Sequence, residues 1–248
     1  MTNKTIKDIL NHRSIRNWKN IELDQEIVDT LLDVAMQTAT STGMQAASII
    51  KLDDPEKRQA LADVAHQQYI KDAPLLLIFI ADNYRNSKIV EEAQGNEDYQ
   101  NDADRFFAAY TDAAIMAQNV VNAAESLGLG TVFLGSILND ARKTIEILEL
   151  PKLTMPVVGL AIGYPNQEPQ LKPRMNKKFR VFHDRYEEVD NYHDSLEEYD
   201  SEMKTYYDLR DDSKPLDKFT KQVVSRAAGQ IDTRAELAEI AREQGYEL

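Results

Sequence analysis

Leu75-Leu76-Leu77-Ile78-Phe79-Ile80-Ala81-Asp82 is the stretch on which the fold class turns. It is apolar without alternation, the pattern of a strand buried on both faces. Met155 to Ile162 reads the same way and is ended by Gly163-Tyr164-Pro165. Two shorter strands are expected at Ser48 to Leu52, centred on Ile49 and Ile50, and at Thr131 to Leu134, ahead of Gly135-Ser136.

Helices fill the intervals. Asp24 is the expected N-cap of one whose face carries Ile27, Val28, Leu31, Leu32 and Ala35. Asp54-Pro55 opens another, reaching Ala65, with proline at the first helical position. Arg105 to Leu127 is the strongest helix, and Gly128 is its natural C′ residue. Its face of Ala109, Ala113, Met116, Ala117, Val120, Val121 and Ala124 predicts close packing, in the core or against a second subunit. Asn139 or Asp140 caps a helix to Leu148, and Asn83 to Asp104 reads as a polar surface excursion. Few strands among many helices, without regular βα alternation, indicate a layered α+β core over residues 1–188. From Val189 the chain turns acidic, with Tyr192, Tyr199, Tyr206 and Tyr207 interleaved. Residues 189–248 are expected to be a helical arm, with helices at Leu216 to Ala227 and Thr233 to Gln244.

The net charge of −13 argues against nucleic acid and against anionic membranes as partners. The longest apolar run, Ala73 to Ala81, is too short to span a bilayer, and Met1-Thr2-Asn3-Lys4 starts no signal peptide, so a soluble cytoplasmic protein is expected. The absence of cysteine excludes thiolate catalysis, disulfides and cysteine-bound metals. His12, His66, His183 and His193 are scattered, so no metal site is expected. Gly128-Leu129-Gly130 follows a helix and precedes a strand, the reverse of a dinucleotide turn, and the third glycine is missing.

In so acidic a chain a local basic cluster is informative. His12-Arg13-Ser14-Ile15-Arg16 brings two guanidiniums, an imidazole and a hydroxyl into a few residues, a set suited to a small anion. The five residues alone fit equally a solvated helix end. Lys172-Pro173-Arg174 is a second anion-binding candidate far along the chain. A general acid/base pair is not identifiable, which suits an enzyme whose chemistry belongs to a cofactor.

These stretches, with Ser41 to Gln45 followed by Ser48-Ile49-Ile50, Ala117-Gln118-Asn119, Ala124-Glu125-Ser126-Leu127-Gly128-Leu129-Gly130 and Leu171-Lys172-Pro173-Arg174, occur in an order that resembles the nitroreductase superfamily. The likeness is to its oxygen-insensitive NADPH nitroreductase and flavin reductase branch, and it runs from the N-terminus to about Val224.

The resemblance implies a central, mostly antiparallel sheet flanked by helices, with FMN at the interface of an interlocked homodimer. Residue by residue, it gives the phosphate to Arg13, Ser14, Lys172 and Arg174, with His12 in the same pocket, and the pyrimidine edge to Arg16. Thr40 and Ser41 would meet the ribityl chain or phosphate, and Gln67, with Gln68 and Tyr69 beside it, would contact the flavin. Leu134-Gly135-Ser136-Ile137 would be the loop whose backbone amide reaches the ring. Taken from the residues alone, Gln67 fits a surface glutamine, Thr40 and Ser41 a helix end, and Gly135 a plain turn.

The implied reaction is ping-pong. NADPH delivers two electrons and leaves before a nitroaromatic, quinone or flavin takes them. The rivals are a flavin reductase that supplies reduced FMN to a partner and a non-catalytic acidic interaction protein. Two departures stand out: Leu138 replaces an arginine of the family's best-known members, and the loop expected to grip the NADPH phosphate holds Arg210 among Asp208, Asp211 and Asp212, with Pro215 in place of a second arginine. They predict weak discrimination, with NADH also used.

Overall fold

Leu75–Asp82 forms strand β2, and every one of its residues is buried. The structure is a computed structural model that describes residues 2–94, 99, 101–207, 215–229 and 231–248. β2 pairs antiparallel with β1 (Ala47–Lys51) on one side and β4 (Thr154–Gly163) on the other. β4 pairs antiparallel with β3 (Gly130–Leu134), giving the order β1-β2-β4-β3. Pro156 cannot donate to the ladder of an internal strand, and the register slips between Phe79 and Ile80 where β2 meets it.

The chain divides into two compact units. The first comprises the chain up to Gln167 together with Ile231–Leu248. It holds the sheet, α1 (Lys4–Leu10), α2 (Gln25–Met36), α3 (Pro55–Ala65), α4 (Tyr84–Gln94), α5 (Ala103–Ser126) and α6 (Ala141–Leu148). Asp54, Asp102 and Asp140 cap α3, α5 and α6 through backbone N–H groups. Asp24 makes no such bond to α2, so only its charge favours that helix end.

α5 crosses the sheet, and Ala109, Ala113, Ala117 and Ala124 are fully buried beneath it. The small-residue face is therefore consumed inside the unit. What α5 leaves exposed is a different stripe, Phe107, Tyr110 and Ile115. Part of the expected excursion, Tyr84–Gln94, is helical instead. It starts from the buried Asn83, whose N–H donates to Leu153 O at 2.9 Å and whose side-chain amide donates to Arg105 O at 3.2 Å.

The segment after residue 230 returns to this unit as α10 (Asp232–Ala235) and α11 (Leu237–Glu243), two helices where one was expected. Arg142 of α6 pairs with Glu236 and, at 2.7 Å, with Glu243. Tyr246 donates its hydroxyl to Leu153 O at 2.7 Å and packs edge-on to Phe106 at 4.8 Å. The N–H of Glu247 reaches Asn101 O at 2.9 Å.

The second unit is Glu168–Gln230 and contains α7 (Tyr192–Ser195), α8 (Glu197–Met203) and α9 (Phe219–Ala228). The boundaries of compactness fall at 167 and 231. α8 and α9 are joined by Asp200, which accepts from Thr220 N at 2.9 Å and from Thr220 Oγ at 2.5 Å. Tyr199 packs against Phe219 beside them, the rings tilted by 53° with centres 5.3 Å apart. Among the described residues no helix is long and apolar enough to cross a membrane.

Candidate active site

After α1 the chain runs extended beside β3. Ser14 bridges to Thr131, and Ile15 N donates to Thr131 O at 2.8 Å. Ile15 is buried against Gly130, where an added Cβ would lie 2.6–2.8 Å from its side chain. Only glycine lets the two segments approach this closely. Trp18 closes the segment by pairing with Pro165, and its Nε1 donates to Gly130 O at 3.4 Å. With Ile15 turned inward, the half-buried Ser14 and Arg16 belong to the opposite face of the extended chain.

His12 and Arg13 precede this seam. His12 Nδ1 lies 2.6 Å from Glu125 Oε1 at the end of α5, and Thr131 Oγ donates to the same oxygen at 2.7 Å. One Arg13 nitrogen, Nη1, donates to Asn11 O at 2.9 Å. Its Nε is buried and has no hydrogen-bond partner among the described residues. A charged donor left in that state costs free energy that an anionic ligand would recover.

The far end of β3 carries a second cluster. His66 ends α3 in the left-handed conformation at φ 53° and turns the chain so that Gln67 N donates to Ala62 O at 2.9 Å. Gln67 Oε1 accepts from Tyr69 OH at 2.8 Å and from Ser136 Oγ at 3.0 Å. With its oxygen doubly engaged, the free end of that side chain is its NH₂ donor.

Ser136 lies in a tight 3₁₀ turn, Gly135–Leu138. The Leu134 and Ile137 side chains are wholly buried, so only their backbone can meet a ligand. Leu138 is buried as well, so its side chain belongs to the core and offers no charge here. A Cβ built at Gly135 has nothing within 4 Å, and Gly135 O accepts from Arg234 Nη1 at 2.8 Å. Arg234 and Glu125 each reach these segments through a contact about a hundred residues away, which no local pattern announces.

The remaining candidates lie elsewhere. Gln68 is exposed and bonded to Gln59 and Asp63 on the surface of α3. The polar run after α2 is fixed by Asn119 Nδ2, which donates to Thr38 Oγ at 3.0 Å. Ser41 N donates to Asp112 Oδ1 at 2.7 Å, halfway along α5. Asp112 is buried, and its Oδ2 is without a partner among the described residues. Both residues line a cavity of about 720 Å³ with Met44, Asn83, Tyr99 and Arg105. The structure therefore unites His12, Arg13 and Ser14 at one end of β3, and Gln67, Tyr69 and Ser136 at the other. Ser41 instead joins Asp112 and the cavity beside it.

Lys172 and Arg174 belong to the second unit. Arg174 Nη1 donates to Lys172 O at 3.0 Å and to Pro173 O at 3.3 Å, and Lys172 Nζ lies 5.9 Å from the centre of the Tyr206 ring. Burial pushes the Tyr199 phenol up, while Arg174 acts in the opposite sense. Arg210 lies outside the described residues.

Comparison with known proteins bears on both units. The profile described as "Nitroreductase family" matches residues 9–164, and "Nitroreductase family, C-terminal domain" matches 172–248. The FMN reductase (NADPH) of Bacillus subtilis (strain 168) is 36% identical over 227 residues, covering 90% of this chain and 91% of its own. The NADPH-flavin oxidoreductase of Vibrio harveyi is 34% identical over 230 residues, with 92% of each chain covered. The solved structure of the Vibrio harveyi NADPH:FMN oxidoreductase complexed with NAD+ superposes with a TM-score of 0.87 at 31% identity, covering 98% of this chain and 99% of that one.

Proposed function

This chain belongs to the nitroreductase family, and from that premise we propose that it is an FMN-dependent NADPH oxidoreductase that reduces nitroaromatics, quinones or flavins by two electrons. FMN, when bound, supplies a ring that accepts and returns a hydride equivalent. The observation that carries this reading is the placement of the two clusters at opposite ends of β3. By strand rise, Thr131 and Gly135 are about 13 Å apart. That span suits a ligand whose anionic end and planar end are joined by a flexible polyol.

At the first end Arg13 and Ser14 hold the phosphate, with His12 beside them, and the buried Nε of Arg13 fits an anionic oxygen. Lys172 and Arg174 are the further cations that the family resemblance assigns to a phosphate. Arg16 places a fixed positive charge at the pyrimidine edge. At the second end Gln67 and Tyr69 orient the ring, and the open space at Gly135 lets the backbone of Leu134-Gly135-Ser136-Ile137 come close to it. Thr40 and Ser41 act from a second copy of the chain, so the working unit is a homodimer and residues 189–248 are part of it. The exposed stripe Phe107, Tyr110 and Ile115 supports that assembly. We place the enzyme in the cytoplasm, where NADPH is supplied.

A second reading starts from the names of the two relatives, which give flavin as what is reduced: reduced flavin would then be released to a partner. Loss of FMN in step with turnover would select it.

The purified protein should be yellow. Arg13→Ala and Arg174→Ala should each weaken FMN by roughly one to two decades, since a charge-assisted bond contributes about 1.5–3 kcal/mol, with the fold retained. Wild-type FMN retention after dialysis of both variants would sink the phosphate assignment.

A further inference from the structure

The Ala124-Glu125-Ser126-Leu127-Gly128-Leu129-Gly130 stretch carries much of the family resemblance, yet its one charged residue has no role in the reading above. Glu125 is only 13% exposed. Its Oε1 is fixed from two sides, by Thr131 Oγ at 2.7 Å and by His12 Nδ1 at 2.6 Å. Thr131 is fully buried, and its carbonyl also anchors Ile15. The carboxylate is thus a rigid partner for the imidazole. An ionised carboxylate can only accept, so the proton in that contact belongs to Nδ1. A neutral imidazole protonated at Nδ1 presents a lone pair at Nε2. The oxygens of a fully ionised phosphate likewise only accept. An imidazole set between Glu125 and a phosphate must therefore carry both protons.

We propose that Glu125 is a positioning residue: it fixes His12 with Nδ1 protonated and is the counter-charge of an imidazolium whose Nε2–H is donated to the FMN phosphate. This rests on the assignment of His12 to the phosphate pocket. The sign of the effect makes it specific. A carboxylate acting directly would repel the phosphate, and its removal would tighten FMN. Acting through His12, it strengthens FMN instead.

Isotope-edited nitrogen NMR of the wild-type protein gives the first test, with the His12 signals identified by their loss in His12→Ala. Nδ1 should be protonated with and without FMN, and Nε2 protonated once FMN is bound. A bare Nδ1 in the free protein, or a bare Nε2 in the complex, overturns the proposal. The second test measures the affinity of FMN and of riboflavin, which lacks the phosphate. Glu125→Gln keeps the shape and removes the charge. It should weaken FMN about tenfold and leave riboflavin unchanged. Equal weakening of both ligands, or tighter FMN, overturns the role of Glu125. His12→Ala separates the two layers. If FMN keeps its full advantage over riboflavin there, His12 is not at the phosphate and both fall. If the advantage is lost there but kept in Glu125→Gln, only the role of Glu125 falls.

Discussion

Asp112 and Glu125 stand thirteen positions apart on α5, about 20 Å along its axis and roughly 140° around it. Asp112 holds Ser41 and Glu125 holds His12. One rigid helix therefore holds Ser41 and His12 at two well-separated points, and under the proposed homodimer Ser41 would serve the cofactor from the second copy. Phe107→Glu combined with Ile115→Glu, on the exposed stripe of α5, should yield monomers that no longer retain FMN. Light scattering and flavin absorbance on the same sample decide it. A monomer that keeps its flavin would refute the shared site.

Two glycines on β3 and its turn should respond in opposite ways. Gly130→Ala drives a methyl into Ile15 and should lower stability by about 1–3 kcal/mol, read as a fall in Tm. Gly135→Ala meets no atom of the protein, so its Tm should be unchanged. Its turnover with NADPH should fall roughly tenfold or more, because the added methyl holds ligand and backbone apart. Unimpaired turnover in Gly135→Ala would remove that turn from the site.

The Asp200–Thr220 pair gives the second unit a defined acid sensitivity. Burial alone would raise the Asp200 carboxyl. The hydroxyl and amide of Thr220, with Lys218 nearby, outweigh it and hold the group below its ordinary value of 3.8. Its stabilisation is fully present above that value and is lost as pH falls through the lower folded one. Thr220→Val should cost about 1.5–3 kcal/mol near neutrality, and the difference from wild type should shrink in acid. Denaturant unfolding followed across the acid range measures this. A difference that stays constant with pH would show that Asp200 is not the group involved.

Nicotinamide selection is tested at Arg210. Asp208, Asp211 and Asp212 flank it in sequence, and carboxylates within the screening range of about 8 Å would offset its charge. NADH should therefore serve alongside NADPH. Arg210→Ala should raise KM for NADPH more than for NADH and leave kcat nearly unchanged, because a contact remote from the hydride contributes uniform binding. Equal losses with the two nucleotides would free Arg210 of that role.

What could be read beforehand was whatever leaves a local signature. The unbroken apolar runs became β2 and β4, and Asp54 and Asp140 cap the helices they precede. α4 has no such signature. It is polar on most of its surface and owes its position to Asn83, whose partners Leu153 and Arg105 are remote. The alanine face of α5 was legible as a packing face, but its partner was not. Small residues suit a sheet and a second subunit alike, and here the sheet takes them. The basic cluster at His12-Arg13-Ser14 stands out as an anion-binding candidate because its members are contiguous. The contacts of Glu125 with His12 and of Arg234 with Gly135 are tertiary and leave no local signature in the sequence.

The return of α10 and α11 to the first unit sets an order on biosynthesis. Residues 231–248 complete a core begun by the chain up to Gln167, and Glu168–Gln230 are translated in between. At about 5–20 residues per second, that delay is roughly 3–13 s. Throughout it Phe106 lacks Tyr246, Arg142 lacks its glutamates, and Leu153 at the head of β4 lacks the Tyr246 hydroxyl. The nascent sheet therefore waits, partly uncovered, for the second unit to be made, and in that interval the protein is most open to chaperones and to misassembly.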